Sequence, residues 1–260
     1  MRTQKEVDEV LALVAQGLNN CEISRRTGIP RTTVRWWRDG RIPGTVARNR
    51  RADCCQSCGH PPHDFEGFHS AGYAYLLGMY LGDGYIVASR RGVYRLSIYC
   101  DTRYPRIVEE IAGTLLTFTP SRHVSVEYFP DGSRGRVCRV GAYSKAWPCL
   151  FPQHGPGRKH TRPIVLEPWQ RGLVDAAPEA LLRGLLHSDG CRSLNRIRGR
   201  DRWYEYPRYT FCNVSDDIRG IFCEACDQLG IPWRRMNARN ISVARREGVA
   251  RLDEFVGPKS

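Results

Sequence analysis

Two short stretches of this sequence end alike, LLGMYLGDG at residues 76–84 and LRGLLHSDG at residues 182–190. Each reads as an apolar helix with small residues at i, i+4 spacing, Gly78 and Gly82 in one and Gly184 and Ser188 in the other, closed by Asp-Gly. Alone, each is poorly built. Glycine inside a helix costs roughly 1 kcal/mol relative to alanine, and a carboxylate at a helix C-terminus meets the negative end of the macrodipole. Small residues at that spacing let two helix backbones approach closely. If the two faces pack together, Asp83 and Asp189 arrive side by side. Adjacent carboxylates repel each other, and a divalent cation resolves the conflict; hard oxygen donors suit Mg2+. The competing reading is a pair of Asp-Gly turns with no joint role.

A second constellation is CCQSCGHPPH, residues 54–63, with Cys55 and Cys58 in CxxC spacing and His60 and His63 following. Closely spaced thiolates and imidazoles are what tetrahedral Zn2+ takes; unliganded cysteines in a loop are the alternative. His69 stands nearby. Another CxxC, Cys223 and Cys226, lies in the strongly helical DDIRGIFCEACDQLG and reads as core-facing. Cys100, Cys138, Cys149 and Cys212 sit singly among apolar residues and read as small buried hydrophobes. The 11 cysteines in 260 residues, with no long apolar run and no signal-peptide pattern, point to reduced thiols in a soluble protein. That places it in the cytoplasm, nucleoid-associated if bacterial, with no membrane partner.

The charge balance points to a polyanion. The formal net charge is +13 and the pI near 9.5. Nearly all of it is arginine, since lysine occurs only at Lys5, Lys145, Lys159 and Lys259. Residues 6–38 read as three short helices: Val7, Val10, Leu11 and Val14 at helical spacing, a second helix closed by Gly28, then a basic helix opened by Pro30 with Val34 and Trp37 inward. The order resembles the homeodomain-like helix-turn-helix of resolvases and small regulators. That resemblance puts Arg31, Thr32, Thr33 and Arg35 on the DNA-facing side; the bland alternative is a three-helix packing unit. The basic stretch RIPGTVARNRR, with Arg48 and Arg50, reads as an arm along a phosphate backbone or minor groove.

From residue 73 the chain repeats. Each pass, about 80 residues, is helix-strand-strand-helix-strand-strand-helix. The Pro- and Gly-rich FPQHGPGRKHTRPIVLEPWQ joins the two. The expected organisation is a helix-turn-helix at 1–42, a basic linker with the cysteine cluster at 43–70, a first repeat at 71–150, a connector at 151–177 and a second repeat at 178–260. The class is α+β with internal pseudo-twofold symmetry.

At this point the two nine-residue stretches and the repeat resemble the LAGLIDADG (dodecapeptide, DOD-type) homing endonucleases, in their single-chain form with two motifs, over roughly residues 70–257. The resemblance implies that the penultimate acidic residue of each motif, Asp83 and Asp189, binds metal. The sixth motif position, often acidic in the family, is Leu81 in one copy and His187 in the other. A basic residue before an Ile/Pro pair upstream of the second motif also fits the family. It makes Lys159, with Arg162 as a rival, a candidate for polarising the attacking water. Lys145 and Arg245 form another pseudo-symmetric basic pair, with ordinary phosphate contacts as the alternative. Two four-stranded antiparallel sheets are implied as a saddle over the major groove of double-stranded DNA. Arg95, Arg139, Arg196, Arg198, Arg208, Arg234 and Arg235 would make its contacts.

The implied activity is Mg2+-dependent hydrolysis of both strands by a monomer, with the helix-turn-helix lengthening the target. FVGPKS at the end lacks a terminal His-Asn, so a free-standing protein rather than an intein is expected. The alternative is a transcriptional regulator that kept this fold and lost cleavage; such relatives usually carry degraded acidic positions, whereas both acids are present here. A zinc-knuckle scaffold unrelated to nucleic acid has to ignore the +13 charge.

Overall fold

The structure is a computed structural model that describes residues 3–41, 55, 58–59, 63–65, 67–119, 123–129, 136–257 and 259. It divides into two compact units, Met1–His63 and Asp64–Ser260.

The first unit holds α1 (Gln4–Ala15), α2 (Asn20–Thr27) and α3 (Arg31–Arg38). Thr3 and Asn19 cap α1 and α2, each in a capping box with the Glu three positions on, which satisfies first-turn N–H groups. Gly28 ends α2 in the left-handed conformation (φ 67°) and turns the chain toward Pro30 and α3. Val7, Val10, Ile23, Ile29, Val34 and Trp37 close the core, so Val34 and Trp37 face inward as the sequence predicts.

The second unit is two copies of one pattern. The first runs α4 (Ser70–Asp83), β1 (Gly84–Ala88), β2 (Tyr94–Asp101), α5 (Pro105–Phe118), β3 (Ser125–Tyr128), β4 (Val137–Ser144) and α6 (Trp147–Leu150). After α7 (Pro168–Asp175) the second runs α8 (Pro178–Asp189), β5 (Gly190–Arg198), β6 (Trp203–Cys212), α9 (Asp216–Gln228), β7 (Arg234–Arg235), β8 (Asn240–Val243) and α10 (Arg246–Phe255). Both sheets are antiparallel with matching strand order, β1-β2-β4-β3 and β5-β6-β8-β7. This is the duplicated αββαββα α+β architecture that the resemblance implies. Helix α4 is buried from Tyr73 to Leu81, as a helix apolar all round must be. Among the described residues no helix is long and apolar enough to cross a membrane.

The structure departs from the sequence reading in several places. The connector contains α7, because Pro168 stands in the first turn, where proline starts a helix instead of breaking it. Strand β6 begins at Trp203 and forms a long hairpin with β5. Strand β7 is only two residues. Cys212, expected buried, is exposed, because it sits on the sheet face that the helices leave open.

Candidate functional site

The glycines of α4 and α8 explain how the acids come together. A Cβ on Gly78 would lie 2.7 Å from the Leu181 carbonyl oxygen and 2.9 Å from the Gly184 Cα. One on Gly184 would strike the Tyr75 carbonyl, and one on Gly82 the Ser188 side chain. The two helices therefore touch backbone to backbone, and Asp83 and Asp189 are each the last residue of their helix. Even a Gly82 Cβ would stand only 3.1 Å from Asp189 Oδ2. Surrounding protein atoms, and then the Asp189 charge, push the Asp83 carboxyl up to about 6. Asp189 is raised too, mainly by burial, while Asn213 Nδ2, donating to its Oδ2 at 2.6 Å, works the other way. Two oxygen-donor carboxylates held together against their own repulsion fit a hard divalent cation, so the residues present suit Mg2+ or Mn2+.

Two lysines complete the site. Lys159 Nζ donates to the carbonyls of Tyr80, Gly82 (2.8 Å) and Gly84 (2.7 Å). Lys259 Nζ donates to those of Ser188 (3.5 Å) and Gly190 (2.5 Å). Gly82 and Gly84 hold the same motif positions as Ser188 and Gly190, so the lysines are pseudo-symmetric mates. Each sets a positive charge on the carbonyl end of a motif helix, where it offsets the dipole. Burial lowers both ammonium groups, Lys159 to about 8, against the pull of both aspartates.

Two clefts open beside the acids. One of about 1000 Å³ is lined by Asp189, Lys159, Asn213 and Arg239. The other, about 580 Å³, is lined by Asp83, Lys259, Asp101 and Arg192. The arrangement is crossed: each lysine caps one motif helix and lines the cleft of the other helix's acid.

Sequence reasoning missed Lys259. The available signal was positional, since each lysine follows the last helix of its repeat, α6 for Lys159 and α10 for Lys259. Arg162 lines the cleft of Asp189, and its guanidinium donates to the carbonyls of Gln153, Pro156 and Gly157. Lys145 is exposed just beyond β4. Arg245, the N-cap of α10, lines a separate cleft with Arg208, Arg234 and Arg235. Neither lines the clefts at the acids.

Strand register sorts the arginines by face. Arg95 and Arg139 share one face of the first sheet with Tyr99 and the exposed Tyr143, opposite the buried Leu96, Ile98 and Val140. Arg139 is ion-paired with Glu127, and Tyr99 stacks on Tyr85. In the second sheet Arg208 and Arg234 lie on the face of Ser193, Thr210 and Ser242. Arg196, Arg198 and Arg235 lie on the opposite face, that of the buried Tyr209 and Phe211. Arg196 pairs with Glu205 at 2.7 Å and Arg235 with Asp216 at 2.8 Å. A period of two decides these faces, and only the register says which residue of one strand stands beside which of the next.

In the first unit, Arg31, Thr32 and Arg35 are exposed on α3 and Thr33 is half-buried. Trp36, which the sequence reading passed over, is 53% exposed on the same helix. Arg48, Arg50 and His60 lie outside the described residues. The Sγ atoms of Cys55 and Cys58 and a ring nitrogen of His63 lie within 4.8 Å of one another, with Cys58 Sγ 3.3 Å from His63 Nε2. Two sulfurs and one nitrogen are three of the four donors that a tetrahedral structural Zn2+ takes. His69 belongs elsewhere: it caps α4, accepting from the Gly72 N–H at 3.1 Å. Cys226 is buried in α9 and Cys223 half-buried, as a core-facing pair should be.

No family model matches the sequence, and no curated protein matches it. Among solved structures, the N-terminal LAGLIDADG domain of DUF199/WhiA is similar at 14% identity, covering 75% of this chain and 84% of that one, with TM-score 0.45. I-DmoI in complex with DNA and Mn is similar at 13% identity, 73% and 98% coverage and TM-score 0.46. The LAGLIDADG meganuclease I-AabMI bound to uncleaved DNA is similar at 12% identity, 70% and 82% coverage and TM-score 0.45. Likeness at this level transfers neither activity nor ligand.

Proposed function

We propose that the chain is a sequence-specific endonuclease for double-stranded DNA, of the homing type, acting as a pseudo-symmetric monomer. The observation that carries the reading is the glycine-mediated contact of α4 and α8, which delivers Asp83 and Asp189 to one place, each acid facing a cleft that also holds a lysine. Asp83 and Asp189 would hold a divalent cation, Mg2+ by preference, which when bound activates water and stabilises the leaving 3′ oxygen. The protein's own groups do the rest. Asn213 fixes the Asp189 carboxylate through its hydrogen bond, and Lys159 and Lys259 carry positive charge to the two clefts. With an ammonium lowered to about 8, Lys159 can hold or yield a proton near neutral pH. Arg95, Arg139, Arg208 and Arg234 on the open sheet faces meet phosphates and base edges.

The α3 face, with Arg31, Thr32, Arg35 and Trp36, lengthens the target and adds affinity by effective concentration. Zn2+ held by Cys55, Cys58 and His63 serves to order the linker, not to react. Metal analysis checks it: zinc that co-purifies with the protein should fall sharply in Cys55→Ser and Cys58→Ser, and unchanged zinc removes the site. A nucleoid location follows from the partner.

The regulator reading has one observation in its favour, the commitment of Lys159 Nζ to three main-chain carbonyls, which is what a purely structural cap does. A selection from a randomised double-stranded DNA library, in Mg2+, separates the two. The endonuclease reading expects recovery of cut ends at one sequence family. Enrichment of bound but intact DNA would leave the regulator.

A further inference from the structure

Neither lysine of the site sits on a long regular element: Lys159 opens a short 3-10 turn, and Lys259 follows α10. A loop residue is placed only as well as its loop is tied down, and each loop has one arginine doing that. In the first half, Arg162 donates to Gln153 O from Nε (3.1 Å) and Nη2 (3.0 Å), and from Nη1 to Pro156 O (3.3 Å) and Gly157 O (3.0 Å). It thereby gathers the turn that leads into Lys159.

In the second half, Arg183 reaches from α8 and donates from Nη1 to Phe255 O (2.5 Å) and Val256 O (2.7 Å), the carbonyls that end α10 just before Lys259. Its other edge makes a two-pronged pair with Glu110 of α5, at 2.8 Å on each prong. Val256 O is also 3.1 Å from His187 Nε2, while His187 Nδ1 is 3.2 Å from the Tyr75 hydroxyl. Gly257, at φ +68°, then turns the chain toward the second motif. The motif positions equivalent to Arg183 and His187 are Leu77 and Leu81 in the first copy, so the repeat itself does not produce this clamp. The two halves reach the same lysine placement by different residues.

We propose that Arg162 and Arg183 are separate positioning residues, Arg162 setting Lys159 for the cleft of Asp189 and Arg183 setting Lys259 for the cleft of Asp83. The inference rests on the endonuclease reading for its consequence, which is that each arginine governs cutting of one strand only. Misplacement of a reacting group by about 1 Å can cost ~100-fold in rate. Arg162→Gln should therefore slow one strand at least ~10-fold and leave the other nearly unchanged, and Arg183→Gln should do the reverse. Supercoiled plasmid bearing the target would then accumulate nicked circles, with opposite strands nicked in the two variants. Arg183→Lys, which keeps the charge beside Glu110, guards against a variant that simply fails to fold, and should show the same strand bias in milder form.

A second readout needs no cleavage. The chain has only Lys5, Lys145, Lys159 and Lys259, and Lys5 and Lys145 are exposed, so they serve as internal references for amine acetylation read by mass spectrometry. Arg162→Gln should raise labelling of Lys159 alone, and Arg183→Gln and Arg183→Lys that of Lys259 alone. Equal slowing of both strands, or labelling that rises at both lysines or at neither, overturns the proposal. If the native protein cuts nothing but the crossed labelling is seen, the endonuclease reading has failed and the positioning roles stand.

Discussion

At the residue scale, the account turns on two carboxylates held where neither is comfortable. Asp83 has a folded-state pKa raised to about 6, so the native protein keeps a proton that the unfolded chain has already lost. Stability from this group is highest below about pH 4 and falls as pH rises toward about 6. Asp83→Asn removes that cost: its melting temperature should exceed that of the native protein at about pH 7.5, with the gap closing by about pH 4. Solvent reaches Asp83 and screens part of the repulsion, so the gap is modest. A variant that melts lower at both pH values would mean that Asp83 stabilises the fold. The acids themselves were legible in the sequence because they repeat. Lys259 was not, since its mate Lys159 lies in a connector of different length and no motif links them. Arg162 was visible as a basic residue, but only the fold reveals that its guanidinium is occupied by carbonyls.

At the element scale, the i, i+4 small residues were the most informative signal, because they specify a helix–helix contact and not merely a helix. Gly184 and Gly113 make a matched test. Alanine at Gly113, exposed in α5 with nothing within 4 Å of a Cβ, should gain up to about 1 kcal/mol from helix propensity. Alanine at Gly184 drives a methyl into the Tyr75 carbonyl, and should lose a net ~1–3 kcal/mol despite the same propensity gain. Urea midpoints measure both, and a stabilised Gly184→Ala would mean that the helices do not touch there. The sheets were harder to read. Alternation gives two faces for each strand, but the face shared by Arg208 and Arg234, and the opposite one taken by Arg196 and Arg198, follow from register. The helix α7 was hidden for a similar reason: Pro168 reads as a breaker until a first-turn position is known.

At the scale of the whole molecule, the duplication makes one proposed cation site from two half-sites and leaves a cleft with its own lysine on each side of it. A net charge of +13 supplies affinity for any duplex, so binding alone does not test the account. The direct measurement compares binding and cutting on one selected target in Mg2+, for the native protein and for Asp83→Asn and Asp189→Asn. The account expects both strands cut by the native protein, and cutting lost in each variant while the dissociation constant stays within a few-fold. A target bound specifically and left intact by the native protein, or cut equally well after both aspartates are replaced, would contradict it.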